Sequence, residues 1–183
     1  MSTTATKPTD GSSSQHWASD IYDVFKAQGI EIVSYVPDAG HTHLINRCES
    51  DPEIRAVTLT TEEEGVALAA GAYLGGKRAA LLMQSSGVGN CINMMSLVRT
   101  CSFPFLSLIT MRGEWGEFNP WQVPMGQGTP AALTAMGIIV QRVAEAREVR
   151  GTVLEATKLA FNSYCGVAVL LSQRLIGAKQ FLE

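Results

Sequence analysis

Apolar positions along this chain follow two alternating periods. Trp17, Ile21, Val24 and Phe25 share one face of a helix predicted from His16 to Gln28, and Gly29 ends it. Ile30 to Val36 is a short β-rich run closed by Pro37. After the turn VPDAG, the spacing predicts a short helix over His43–Cys48 and a strand over Ile54–Leu59. The stretch Thr60–Tyr73, TTEEEGVALAAGAY, opens a helix with adjacent carboxylates and continues without charge to Gly76. Glutamates in a first turn face the positive end of the helix dipole. The uncharged length behind them predicts a helix buried on all sides, carrying at least one of Glu62, Glu63 and Glu64 inward. A buried acid needs a partner, whereas the plainer alternative is that these acids only cap the helix in solvent.

Arg78–Gln84 is apolar enough for a strand covered on both faces. SSGVGN then predicts a glycine turn, INMMSLVRT a helix, and Phe103–Thr110 another buried strand. From Met111 to Thr129 the period lapses into a long Gly-, Pro- and Trp-bearing loop, a kind more often functional than idle. Pro130 starts a short helix, Ile138–Gln141 is a strand, Ala144–Ser163 a long amphipathic helix and Gly166–Leu171 a last strand. Strands alternating with helices predict an α/β fold: an open, mostly parallel six-stranded sheet with helices on both faces. Ligands of such sheets bind outside the carboxyl ends of the strands. Asp38–His43, Glu62–Glu64, Ser85–Asn90 and Met111–Gln122 all follow predicted strands, so four polar segments can meet in one crevice.

With 183 residues, 46% of them hydrophobic, the chain can bury its own core, and no repeat or linker divides it. We expect a disordered leader over residues 1–15 and one domain over 16–183. A net charge of −3 with scattered Lys and Arg gives no electrostatic footprint for nucleic acid or a membrane surface. No segment reaches the ~20 apolar residues of a membrane span. Cys48, Cys91, Cys101 and Cys165 form no CxxC pair and match no His spacing, as expected of reduced thiols in a cytoplasmic protein. Neither Cys91 nor Cys101 has a neighbouring base that would make it a nucleophile.

Several residues carry candidate chemistry. The glycines of SSGVGN let backbone approach a ligand, although the segment matches neither common phosphate-binding fingerprint and also suits a plain turn. His41 and His43 suit acid–base work or a metal pair, against the commoner case of solvent-facing turn histidines. Trp115, Phe118 and Trp121 either fasten the long loop or wall a pocket.

From about Asp20 to Leu171 the chain resembles the pyrimidine-binding domain of thiamine-diphosphate-dependent decarboxylases, most of all the alpha subunits of the sulfopyruvate decarboxylase branch. The matching stretches are YVPD (35–38), TEEEGVALAAGAYLGGK (61–77), QSSGVGNCINMMSL (84–97) and RGEWGEFNPWQVPMG (112–126). Phosphonopyruvate decarboxylases look similar over the same segments. The resemblance implies decarboxylation of a small anionic 2-oxo acid, 3-sulfopyruvate or 3-phosphonopyruvate, unless the chain is a non-catalytic binding or regulatory module of the same fold. It implies an acid that hydrogen-bonds N1′ of the cofactor's aminopyrimidine. Counting back from Tyr73 and Gly65 assigns Glu63, and counting back from Gly71 assigns Glu62; two anchors to one favour Glu63. It further implies a cofactor-lining segment at Gly87, Val88, Gly89 and Asn90, proton-handling roles for Asp38 and His41, and substrate contacts from Arg112 and His43. For Arg112 a structural ion pair with Glu114 or Glu117 is an equal alternative. In that family the diphosphate is held through a divalent metal by a GDG-bearing domain, and this chain has no GDG. The Mg2+ ligands are therefore expected on a separate beta subunit, with no metal ligands here. A second alpha subunit is expected against Gly65, Ala69, Gly71 and Ala72.

Overall fold

The computed structural model describes residues 12–178. Its strands are β1 (Ile30–Tyr35), β2 (Arg55–Thr58), β3 (Arg78–Gln84), β4 (Phe105–Thr110), β5 (Ile139–Val143) and β6 (Gly166–Leu171). Its helices are α1 (Ser12–Ala27), α2 (Thr42–Glu49), α3 (Glu62–Leu74), α4 (Ser85–Cys91), α5 (Met95–Cys101), α6 (Val123–Ala135), α7 (Ala146–Ser163) and α8 (Gln173–Ile176). The expected leader falls mostly on residues 1–11, outside the described residues, and α1 begins at Ser12.

All six strands pair in parallel, in the order β2-β1-β3-β4-β6-β5. Strands covered on both faces must be apolar throughout. β4 and β6 are buried along their whole length, while the edge strands β2 and β5 keep exposed positions. One core lies under α1, α2 and α7, where Phe25, Leu44 and Val153 pack on Leu82 and Leu106. The other lies under α3 to α6, where Val66, Val88, Met95 and Leu133 pack on Leu81 and Ile109.

The strand order reverses twice. The chain leaves β1 outward to β2 and returns on the other side of β1 as β3; it leaves β4 for the far edge at β5 and returns between them as β6. Each reversal opens a crevice at the carboxyl ends of adjacent strands.

Three local expectations are corrected. SSGVGN is the helix α4 itself, starting directly where β3 ends. The long loop stops early: the Asn119 side chain accepts a hydrogen bond from the Trp121 N–H, a 3-10 turn follows over Pro120–Gln122, and α6 begins at Val123 with Pro130 inside it. Pro124 in the first turn has no helical donor to lose, which is why the helix can start there. Finally, α3 is not buried all round. Glu62, Gly65, Val66, Ala69 and Ala72 face the core, whereas Glu63, Ala67, Gly71 and Leu74 are exposed, Leu74 at 86%.

Close backbone packing fixes the start of α6. A Cβ on Gly126 would overlap the carbonyl oxygen of Arg112, with no flexible side chain to yield. Gly126→Ala is expected to destabilise the full chain by about 2 kcal/mol or more, read as a lower urea midpoint with an unchanged slope.

Candidate active site

The first functional group comes from the start of α3. Glu62 is the residue carried inward, at 8% exposure, while Glu63 beside it points outward. One residue along a helix is about 100° of rotation, so only one of the two can face α4. The Glu62 carboxyl rests on Gly87, where a Cβ would overlap its Cδ and Oε1. Glycine in SSGVGN thus makes room for a side chain of the same protein. Asn90 Nδ2 donates to Glu62 Oε2 at 2.8 Å, and Oε1 takes no hydrogen bond from a described residue. Val88 is fully buried, its side chain packed in the core under α3 to α6. Gly89 is exposed and lies close to Met125 of α6. Burial pushes the neighbouring Cys91 thiol up to about 12, which leaves it protonated.

A second group occupies the reversal between β1 and β3. Asp38 Oδ2 accepts from the Gly40 N–H at 3.0 Å and from Thr110 Oγ1 at 2.7 Å, and Oδ1 accepts from Gln84 Nε2 at 3.0 Å. Ser86 Oγ donates in turn to Gln84 Oε1 at 2.8 Å. Gln84 and Thr110 were not singled out from sequence. Their signal is a polar residue at the carboxyl end of a mostly apolar strand.

The third group sits at the reversal between β4 and β6. Arg112 donates from Nε and Nη2 to the two oxygens of Glu117, at 2.7 and 2.6 Å. Glu117 also accepts from the Gly113 and Asn119 N–H groups and from Gln173 Nε2. These donors, the guanidinium first, pull its pKa down to about 2. Gln173, 1% exposed, accepts from the Glu114 and Trp115 N–H groups, so a residue beyond β6 closes the loop beyond β4. Glu114 pairs with Arg142 instead of Arg112. Arg112 and Asp38 line one cleft of about 130 Å³ with Ile176 and Gly177.

The histidines separate from these groups. His41 is 1% exposed, its Nε2 bonded to the Leu108 carbonyl at 3.1 Å, and burial lowers its pKa, so it is packed in the core and not turned to the solvent as a turn histidine would be. His43 faces α1, with Nε2 bonded to Ser19 Oγ, away from the Asp38–Arg112 cleft. Trp115 and Phe118 lie against Arg174 and Arg112, and Trp121, 85% exposed, walls a cavity of about 650 Å³ with Pro120, Pro124 and Met125. Among the described residues no group of three His, Cys, Asp or Glu could hold a metal ion, and no helix is long and apolar enough to cross a membrane.

Known proteins share this arrangement of chain. Residues 15–117 match the family described as thiamine pyrophosphate enzyme, N-terminal TPP binding domain. Sulfopyruvate decarboxylase subunit alpha of Methanococcus maripaludis is 37% identical over 152 residues, 82% of this chain and 91% of that protein. Phosphonopyruvate decarboxylase of Streptomyces viridochromogenes is 41% identical over 101 residues, 55% of this chain but 25% of that protein. Among solved structures, 2-oxoglutarate:ferredoxin oxidoreductase from Magnetococcus marinus superposes with a TM-score of 0.68 over 88% of this chain and 29% of that chain. At 15% identity this last likeness concerns the fold alone.

The Glu117 cage gives the arginine loop an acid limit. A carboxylate held at about 2 against an ordinary 4.5 contributes stability that is fully present above pH 4.5 and lost as the pH falls towards 2. Glu117→Gln is expected to lower stability at neutral pH and to flatten the loss of stability across that acid window, measured by urea unfolding at a series of pH values.

Proposed function

Because this chain belongs to the family of sulfopyruvate decarboxylase alpha subunits, built on the N-terminal domain of thiamine pyrophosphate enzymes, we propose that it supplies the pyrimidine-binding half of a decarboxylase converting 3-sulfopyruvate to sulfoacetaldehyde and CO2. The observation that carries this is the Glu62 carboxyl: buried, seated on a bare Cα and left with one open oxygen. That donor set fits an aminopyrimidine ring, which offers a basic nitrogen to a carboxyl in a dry setting. When bound, thiamine diphosphate supplies the carbon nucleophile and the electron sink for loss of CO2 from a 2-oxo acid.

Glu62 takes the role that counting from Tyr73 and Gly65 gives to Glu63. Glu62 would hold the aminopyrimidine of the cofactor through Oε1, the oxygen that Asn90 leaves open, while Gly87 and Asn90 shape the rim around it. Asp38, oriented by three donors, is the acid we assign to proton handling near the reacting carbon. Arg112 commits Nε and Nη2 to Glu117 and leaves Nη1 for an anionic group in the cleft beside Asp38. A planar guanidinium suits the oxygens of a sulfonate.

A beta subunit holds the diphosphate through Mg2+ in this proposal. The supporting observations are the word alpha in the name of the Methanococcus relative and the short share of the phosphonopyruvate enzyme that this chain spans. Of the four residues expected against a second alpha subunit, Gly65, Ala69 and Ala72 face this chain's own core, so the face offered to it is the exposed one with Ala67, Gly71 and Leu74. The phosphonate reading rests on the 41% identity to the Streptomyces enzyme.

Glu62→Gln in the complex with the partner is expected to cut decarboxylation by about 10²–10⁴-fold, whereas Glu63→Gln stays close to wild type. The reverse ranking returns the role to Glu63, and two active variants end the catalytic reading. Arg112→Lys is expected to raise KM for 3-sulfopyruvate by about tenfold with a smaller change in kcat. Turnover of 3-phosphonopyruvate above 3-sulfopyruvate by the wild-type complex transfers the substrate assignment. Calorimetry should show tight cofactor and Mg2+ binding for the pair of subunits and not for this chain alone.

A further inference from the structure

Glu62 and Asn90 come from different helices and meet through one hydrogen bond, Nδ2 to Oε2 at 2.8 Å. A side-chain amide nitrogen donates and does not accept, so while this bond stands Oε2 is held as the acceptor. A proton on this carboxyl is thereby favoured on Oε1, because the oxygen without a hydrogen is the stronger acceptor for Nδ2. That oxygen and Cδ lie directly over Gly87, which also limits how the carboxyl plane can turn. Rotation about the terminal torsion of a glutamate is otherwise broad and nearly twofold, so without a fixed donor its two oxygens exchange places freely.

We propose that Asn90 is a positioning residue for the cofactor acid: its amide selects Oε1 of Glu62 as the oxygen that exchanges a proton with the aminopyrimidine. The inference rests on the assignment of Glu62 above and adds to it which atom acts and what holds that atom in place. Asn90 is itself exposed, so replacing it removes a donor without opening the core.

The test uses the assembled enzyme with its partner subunit and three variants. Asn90→Asp keeps the shape but replaces the donor with an acceptor, Asn90→Leu removes polarity at similar volume, and Asn90→Ser keeps a shorter donor. The readouts are cofactor Kd by calorimetry, kcat and KM for the 2-oxo acid, melting temperature, and the near-ultraviolet circular dichroism of the bound cofactor. Asp and Leu are expected to raise cofactor Kd about tenfold, as loss of a hydrogen bond to a charged group does, and to alter the cofactor's dichroism. The same two variants should lower kcat by about 10–100-fold while KM and melting temperature stay near wild type. Ser is expected to recover part of both losses.

Wild-type Kd and kcat in the Asp and Leu variants would overturn the proposal. So would a Ser variant no better than Leu, because the effect would then follow shape and not the donor. Glu62→Gln in the same assay separates the two ideas. Full activity there removes the assignment of Glu62 itself, whereas an inactive Gln variant beside unaffected Asn90 variants removes only the positioning role.

Discussion

Taking a carboxyl group out of water costs several kcal/mol unless something in the protein replaces its hydration. At Glu62 two modest contributions stand in for water, a place in the first turn of α3, where the helix dipole favours negative charge, and one amide donor; the absence of a side chain at Gly87 gives the carboxyl its room. The last is a steric condition, and it constrains much else. For Gly87 to lie beneath Glu62, α4 must start at the end of β3 without an intervening turn, and α3 must press its Gly65 and Val66 face onto β3. The site is thus built into the way two helices leave the same region of the sheet.

The two strand reversals distribute the remaining chemistry. Asp38 stands between β1 and β3 and Arg112 between β4 and β6, so the charged residues of the cleft come from strand ends that are close in the sheet but distant in sequence. Neither is left free to move. Asp38 is gripped by Gln84, Thr110 and its own turn, and Arg112 by Glu117, which Gln173 secures. Fixed dipoles and charges of this kind act on a ligand without reorganising when it arrives.

The order of helices and strands was legible because a parallel sheet covered on both faces demands mostly apolar runs, and β3, β4 and β6 are such runs. The same rule placed Asp38 and Arg112 at one cleft, whereas Glu62–Glu64 and Ser85–Asn90, expected in that crevice as well, do not line it. Gly-rich SSGVGN was misread because the same letters satisfy a turn and a helix that must accept a neighbour's side chain; only the position of Glu62 distinguishes them. Choosing Glu63 came from motif spacing, which does not register the rotation of α3 about its axis. Counting from Gly71 pointed to the buried residue, and counting from Gly65 and Tyr73 did not. His41 could not be placed because nothing in a turn sequence shows that its imidazole reaches under the sheet edge to the Leu108 carbonyl. Gln173 escaped notice for a different reason: its partners are more than fifty residues away.

The late position of β6 in the chain has a consequence for how the molecule is made. β5 pairs with β6 and not with β4, so β5 has no strand partner until β6 lies between them. Gln173 follows β6 directly, and the peptide N–H groups of Glu114 and Trp115 wait for it. The first four strands all precede Gln173 in the chain, so the arginine loop takes its closing hydrogen bonds only once the segment after β6 is in place.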